Sequence, residues 1–283
     1  MFSEDPQLRK IQESCLEILK ATAKICDDNN LTYYLCGGTL LGAIRHKGFI
    51  PWDDDIDIAM PREDYEKLII IANNTLNERY KLRHYSIYRD NNVPHFHAIQ
   101  IVDTETYVTR EWTKTKEDIP VWIDVFPLDG APSNKLQRMV HYYYYHAIQY
   151  LMLISNKCNT INIKKKRNLF QRLFIWFIFE FNIGKDWNTK KLMYKMDSIL
   201  KKYPFNNSNH LSSFHGTLGK KEILKTEWYK NRTKLEFENA EFWVPKKYHE
   251  IMVHYYGDYT IPKKRNYEHN YSNLRIMDSE EKI

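Results

Sequence analysis

Four of the five residues 53–57 are aspartates, and they run directly into the apolar residues 58–60. Carboxylates are rarely buried unless they are paired or bind a metal ion. Alternate side chains of a strand point to the same face, so Asp55 and Asp57 share one face and isoleucines occupy the other. We therefore expect residues 55–60 to form a strand that presents a pair of carboxylates to a cation.

Two more aspartates extend this predicted metal site. Carboxylates held about 6–7 Å apart along a strand can bind Mg²⁺, which takes a few carboxylates together with substrate phosphates. Asp53 lies on the same face if the strand begins early, whereas Asp54 is expected to point away. Asp124 lies between Ile123 and Val125, in the apolar frame of another strand, and is the expected third ligand. The alternative is a solvated acidic loop.

A glycine pair precedes the acidic stretch and follows a predicted strand at residues 31–36. Glycine lets the backbone approach a phosphate closely, and the N–H groups at the start of a helix can donate to it. We expect a helix capped by Thr39 to follow as far as residue 44. The basic triplet after it would neutralise phosphate oxygens, with a solvated basic loop as the alternative. The expected substrate-binding residues are Gly37, Gly38, Thr39, Arg45, His46 and Lys47.

Hydrophobic periodicity divides the chain into a mixed first half, a mainly helical middle and a mixed end. Helices are predicted at 8–26, 62–76, 134–155 and over most of 169–203, and strands at 31–36, 55–60, 80–86, 95–102, 106–109 and 121–130. The last of these strands is expected to end at its proline and glycine. The fold class is therefore α/β (α+β), a mixed sheet flanked by helices with a helical elaboration in the second half. We expect a catalytic core at 1–130, the helical elaboration at 131–205, and a region at 206–283 that completes the active-site cleft.

The order of these elements is that of the nucleotidyltransferase fold, which transfers phosphoryl-linked groups with metal ions held by three carboxylates. Residues 37–68, "GGTLLGAIRHKGFIPWDDDIDIAMPREDYEKL", resemble the signature of the LicD family, the phosphocholine transferases related to the animal fukutins. "VWIDVFPLDG" at 121–130 and "YYGDYTIPKK" at 255–264 resemble two further blocks of that family.

The resemblance implies a Mg²⁺-dependent enzyme with one or two ions, for which Mn²⁺ can substitute. It implies transfer of phosphocholine from CDP-choline to a hydroxyl of a glycan precursor, such as teichoic acid, capsule or lipopolysaccharide. Asp55 and Asp57 would hold the metal, and Asp124 would hold a second ion or take the acceptor proton. The alternatives are a donor such as CDP-glycerol or CDP-ribitol, an RNA or small-molecule nucleotidyltransferase, and a binding protein without activity.

The amino-acid composition does not identify the class of binding partner. The chain has 42 basic and 36 acidic residues, a net charge of +6, which suits nucleotides, lipid headgroups or RNA. The four cysteines form no C-x-x-C pair, and residues 1–12 lack the apolar core of a signal peptide. We therefore expect a cytoplasmic protein, at the inner face of the membrane if its acceptor is lipid-linked, and no nucleic-acid partner. The P-loop and G-x-S-x-G patterns do not occur.

Residues 164–187, "KKKRNLFQRLFIWFIFEFNIGKDW", allow two interpretations. One is a helix buried in the elaboration. The other is an interfacial helix, with the basic residues 164–167 at anionic headgroups and the aromatic residues at the acyl boundary. The segment is too short and too often interrupted by polar residues to span a bilayer.

Overall fold

The computed structural model describes residues 5–87, 98–110, 117–162, 165, 167–213, 218–262 and 271–276. The helices among them are α1 (Pro6–Asp28), α2 (Gly37–His46), α3 (Arg62–Thr75), α4 (Lys135–Ser155), α5 (Lys157–Thr160), α6 (Leu169–Glu180), α7 (Thr189–Leu200) and α8 (Tyr248–Tyr256). The strands are β1 (Tyr34–Leu35), β2 (Asp57–Pro61), β3 (Tyr80–Arg83), β4 (Ile99–Arg110), β5 (Glu117–Ala131), β6 (His210–Ser212), β7 (Ile223–Lys225), β8 (Arg232–Phe237), β9 (Ala240–Pro245) and β10 (Tyr271–Ile276). Short 3-10 turns lie at Phe205–Asn207, Gly219–Glu222 and Thr226–Tyr229.

The main sheet is mixed, as predicted. Its central order is β1-β2-β5-β4-β10, with β3 on β4 and with β6 joining β5 to β7. β2 and β5 run parallel, and the other pairs are antiparallel. β8 and β9 form a separate hairpin. Helices α1 and α3 pack on this sheet, which confirms the predicted class of a mixed sheet flanked by helices.

The first helix shows how local sequence sets these elements. The Asp5 side chain accepts hydrogen bonds from the N–H groups of residues 7 and 8, and a proline occupies the first helical position. Cys15, Ile18 and Leu19 of α1 are fully buried, and α1 packs on β4 and β5. The helix predicted at 8–26 is therefore confirmed, with a few residues more at each end.

Strand β5 is longer than predicted and continues through Pro127 to Ala131. The Asp124 N–H donates to the Ile56 oxygen on the β2 side (3.0 Å), so the nitrogen of Pro127 faces the opposite side. Among the described residues, the ladder with β4 ends at Val125, and the missing N–H of Pro127 therefore costs no ladder hydrogen bond.

The strands predicted at 95–102 and 106–109 are one strand, β4, with a register shift between Val102 and Tyr107. The start of the first predicted strand, residues 95–97, lies outside the described residues. The strand predicted at 31–36 is reduced to the two residues of β1.

The helical elaboration has a small core of its own. Helices α4 and α7 pack together around Tyr145, Met193 and Met196. The helical stretch predicted at 169–203 is two helices, α6 and α7, because the chain turns at Asn182 (φ 49°) and Gly184 (φ 81°). The three-domain division stays a prediction.

Helix α6 is mostly exposed, and Ile178 is its one buried residue. The described part of this segment therefore does not form the buried core helix that one interpretation expected. Of the described helices, none combines the length and the apolar character needed to cross a bilayer.

Candidate active site

The parallel pairing of β2 with β5 brings the predicted carboxylates together. Asp57 is the register partner of Asp124, so both side chains lie on the same face of the sheet. They line an open cleft of about 660 Å³, together with Asp53 and Asp55 from the segment before β2. We call this space the active-site cleft.

The first three aspartates lie outside the regular strand, because β2 begins only at Asp57. Asp54 does not line the active-site cleft. Its carboxylate nevertheless offers an oxygen within 4.8 Å of one from Asp53 and one from Asp55. The three could therefore share a cation, and the predicted outward orientation of Asp54 does not remove it from reach of the site.

The carboxylates raise one another's pKa. The neighbouring charges of Asp57 and Asp53 raise the pKa of Asp55 well above its usual value. Burial and the charge of Asp124 raise the pKa of Asp57 in the same direction. Asp55 faces solvent along its side chain but is ringed by other acids, so its pKa direction follows from its neighbours. A bound cation would relieve this repulsion.

Asp124 is held by two side chains that sequence reasoning did not find. The Gln100 Nε2 donates to Oδ1 (3.1 Å), and the Trp122 Nε1 donates to Oδ2 (3.0 Å). Burial raises the pKa of Asp124 to about 6, although both hydrogen bonds lower it. Gln100 is the β4 register partner of Asp124, so only knowledge of the strand pairing could have identified it.

The predicted glycine pair forms the first turn of α2, directly above the acids. Gly37 has a φ of 54°, in the left-handed region. A Cβ on Gly38 would lie 2.7 Å from the Asp53 Oδ2, and one on Gly37 would lie 3.1 Å from the Asp57 Oδ2. Side chains at either position would therefore push against the carboxylates.

Thr39 does not cap α2, contrary to the prediction. The helix begins two residues earlier, with Cys36 in the capping position and no side-chain cap. The Thr39 Oγ1 instead accepts the Asp57 N–H (2.9 Å) and thus ties α2 to the start of β2. Whether Thr39 contacts substrate stays a prediction.

The three residues of the basic triplet, Arg45, His46 and Lys47, lie in different surroundings. Arg45 lines the active-site cleft, and its Nη1 donates to the Tyr259 oxygen (3.2 Å). His46 lies outside the lining, and its Nδ1 accepts from the Arg45 Nε (3.4 Å). Lys47 ends α2, is exposed, and pairs with Glu236 (3.1 Å). The geometry favours Arg45, and substrate contacts by the other two stay predictions.

The opposite wall comes from the last third of the chain. Its tyrosines are Tyr229, Tyr255, Tyr256 and Tyr259. Lys221 also lines this wall, and its Nζ donates to the Tyr255 oxygen (2.8 Å). The cleft thus has an acidic floor, cations at two positions and an aromatic wall.

The donor set fits Mg²⁺. The candidate ligands are carboxylate oxygens, the hard donors that Mg²⁺ prefers, and no thiolate takes part. Neighbouring like charges contribute to the raised pKa values of Asp55 and Asp57, and a bound cation would offset those charges. Asp53, Asp55 and Asp57 would hold an ion, and Asp124 would hold a second ion or accept a proton; these roles stay predictions.

Comparison with known proteins agrees with this geometry. Residues 30–150 match the family described as LicD/FKTN/FKRP, nucleotidyltransferase domain. The chain is 29% identical over 256 residues to the lipopolysaccharide cholinephosphotransferase LicD of Haemophilus influenzae, covering 89% of this chain and 91% of that protein. It is 43% identical over 54 residues to the human ribitol 5-phosphate transferase FKRP, covering 18% of this chain and 11% of that protein. The matched 121 residues include α2, β2 and Asp124, and the match confirms the resemblance to the LicD family predicted from the motifs.

Proposed function

We propose that this protein is a Mg²⁺-dependent transferase that moves phosphocholine from CDP-choline to a hydroxyl of a cell-surface glycan precursor. The observation that carries the proposal is the pairing of Asp57 with Asp124 on neighbouring parallel strands, at the floor of a cleft and below a glycine-rich helix start. The similarity to a cholinephosphotransferase over most of both chains supports the group transferred.

In the proposed reaction the acceptor hydroxyl oxygen forms a bond to the choline-bearing phosphorus. The bond from that phosphorus to the CMP oxygen breaks, and CMP leaves with the electron pair. Mg²⁺ held by Asp53, Asp55 and Asp57 would neutralise charge on the diphosphate. The N–H groups at the start of α2 and the guanidinium of Arg45 would position the phosphates. Asp124 would accept the hydroxyl proton, for which a pKa of about 6 suits it near neutral pH.

The aromatic wall favours choline among the candidate alcohols. A trimethylammonium group is attracted to the faces of aromatic rings, whereas glycerol and ribitol carry no charge. Tyr229, Tyr255, Tyr256 and Tyr259 line the cleft, and Tyr256 is the one among these four that is not buried. Ribitol phosphate is the second candidate, because two relatives with shorter matches are ribitol 5-phosphate transferases. Teichoic acid, capsule and lipopolysaccharide precursors remain the candidate acceptors, in the cytoplasm or at the inner membrane face.

The test is incubation of the purified protein with Mg²⁺, a glycan acceptor and, in turn, CDP-choline, CDP-glycerol and CDP-ribitol. We expect CMP release and labelled glycan with CDP-choline, and neither with Asp57→Asn or with a metal chelator. Preference for CDP-ribitol would establish the second candidate instead. Pyrophosphate release from a nucleoside triphosphate, or no product with any donor, would contradict the proposal.

A further inference from the structure

Helix α6 carries large apolar side chains that its own protein does not cover. Its exposed residues include Phe170 at 83%, Phe174 at 60% and Trp176 at 57% of full exposure. Ile178 is buried, and Ile175 and Phe179 are half-buried, so one narrow stripe of the helix faces the protein. Soluble proteins rarely expose a continuous apolar surface of this kind without a partner for it.

The helix is nevertheless well formed at both ends. The Asn168 side chain accepts the Gln171 N–H (2.9 Å) and caps the start. Beyond its end, the Lys157 Nζ donates to the Ile183 oxygen (2.9 Å), and the chain turns at Gly184 against α4. These contacts fix both ends of α6. Its exposed apolar face is not needed for them and is available to a partner.

The charge around α6 indicates what that partner is. Residues 164–191 contain eight basic and two acidic residues. Lys165 and Arg172 are exposed, and Arg167 is half-buried immediately before the helix. Lys164 and Lys166 lie outside the described residues. An anionic surface with an apolar interior is complementary to both features at once.

We propose that α6 docks the protein on an anionic lipid bilayer, lying in the plane of the headgroups. Phe170, Leu173, Phe174 and Phe177 enter the acyl boundary, and the basic residues contact lipid phosphates. The 12 residues of α6 span about 18 Å, too short to cross the hydrocarbon core of about 30 Å. This docking is separate from the proposed phosphocholine transfer and needs no donor or acceptor.

A second copy of the chain is the other occupant to consider. A two-fold contact through α6 would place side by side two copies of a segment that contains eight basic and two acidic residues. Like charges facing each other oppose association, whereas anionic lipid attracts them. The charge distribution therefore favours the bilayer.

The test is co-sedimentation of the full chain at low salt with vesicles of phosphatidylcholine alone or mixed with phosphatidylglycerol. We expect the wild type to bind the anionic vesicles and to bind neutral ones much more weakly. Phe170→Ser with Phe174→Ser should reduce partitioning at least about tenfold for each residue. Lys165→Gln with Arg167→Gln should reduce it about 30-fold.

Ile70→Ser is the matched control, because Ile70 is a 69% exposed apolar residue on α3. We expect it to bind vesicles like the wild type. All these side chains are at least partly exposed, so circular dichroism should show intact folding. A wild type that stays in the supernatant with anionic vesicles would overturn the proposal. A dimer in sedimentation velocity that becomes a monomer with Phe170→Ser and Phe174→Ser, without loss of vesicle binding, would assign the surface to a second copy.

Discussion

Replacing Arg62 with methionine should strongly destabilise the fold. Arg62 begins α3, and its guanidinium is one of the few buried cations among the described residues. Its Nε donates to the Asp129 Oδ1 of β5 (2.8 Å), and its Nη1 donates to the Asp197 Oδ1 of α7 (2.9 Å). One side chain thereby joins the sheet, its flanking helix and the helical elaboration.

The expected loss of unfolding free energy follows from the two carboxylates that the substitution leaves buried. Asp129 is 1% exposed and Asp197 is 9% exposed, so Arg62→Met leaves two buried carboxylates without their main cation. Breaking a buried ion pair from one side costs about 3–5 kcal/mol of unfolding free energy. That is a large part of the stability of an ordinary domain.

The loss should also depend on pH. Burial raises the pKa of Asp197, but Arg62 and Lys201 outweigh burial and hold it below its usual value. Burial already raises the pKa of Asp129 in the wild type, so without Arg62 it should rise further, and the pKa of Asp197 should rise above its unfolded value. A carboxyl with a raised folded pKa gains protons on folding, so lower pH favours the folded variant. We therefore expect the stability gap to the wild type to narrow from about pH 7 to about pH 5.

The assay is urea denaturation followed by circular dichroism at both pH values. Lys67→Met is the control, because Lys67 pairs with Asp64 (3.1 Å) on the same helix but is mostly exposed. It should cost less than about 1 kcal/mol. The reasoning would be refuted if Arg62→Met cost no more than the control, or if the gap widened as the pH fell.

Three further predictions concern the active-site cleft. Asp57→Asn should lower CMP release at least about 100-fold. It should also raise the melting temperature, because it removes repulsion between neighbouring carboxylates. Asp54→Asn should keep most of the activity. A dead Asp54 variant beside a working Asp57 variant would reassign the ligands. Mg²⁺ should raise the melting temperature of the wild type and leave that of Asp57→Asn almost unchanged; equal shifts in a thermal scan would place the ion elsewhere. Gly38→Ala should cost about 1–3 kcal/mol in a denaturant titration and reduce turnover, because its Cβ would meet the Asp53 Oδ2; wild-type behaviour would show that the carboxylate moves freely.

Local patterns in the sequence were sufficient for much of this description. The capped and amphipathic α1, the alternating residues of β2 and the apolar frame of Asp124 are all short-range signals. They led to the mixed sheet and the family, both of which are confirmed. The predictions were wrong where a tertiary contact outweighed a local sequence preference. Thr39 looked like a helix cap but its side chain bonds β2, and Pro127 looked like a strand end but lies beyond the last described pair of the β4–β5 ladder.

The sequence by itself determined which residue types could build the candidate site, because Asp55, Asp57 and the glycine pair are neighbours along the chain. Only the tertiary structure decided which other residues complete the candidate site. The register of β5 with β4 places Gln100 on Asp124, and α2 ends so that Arg45 faces the cleft while Lys47 turns to Glu236. Composition could not tell whether the aromatic residues of α6 are buried. Burial depends on which surfaces meet after the chain has folded, and no short stretch of sequence contains that information.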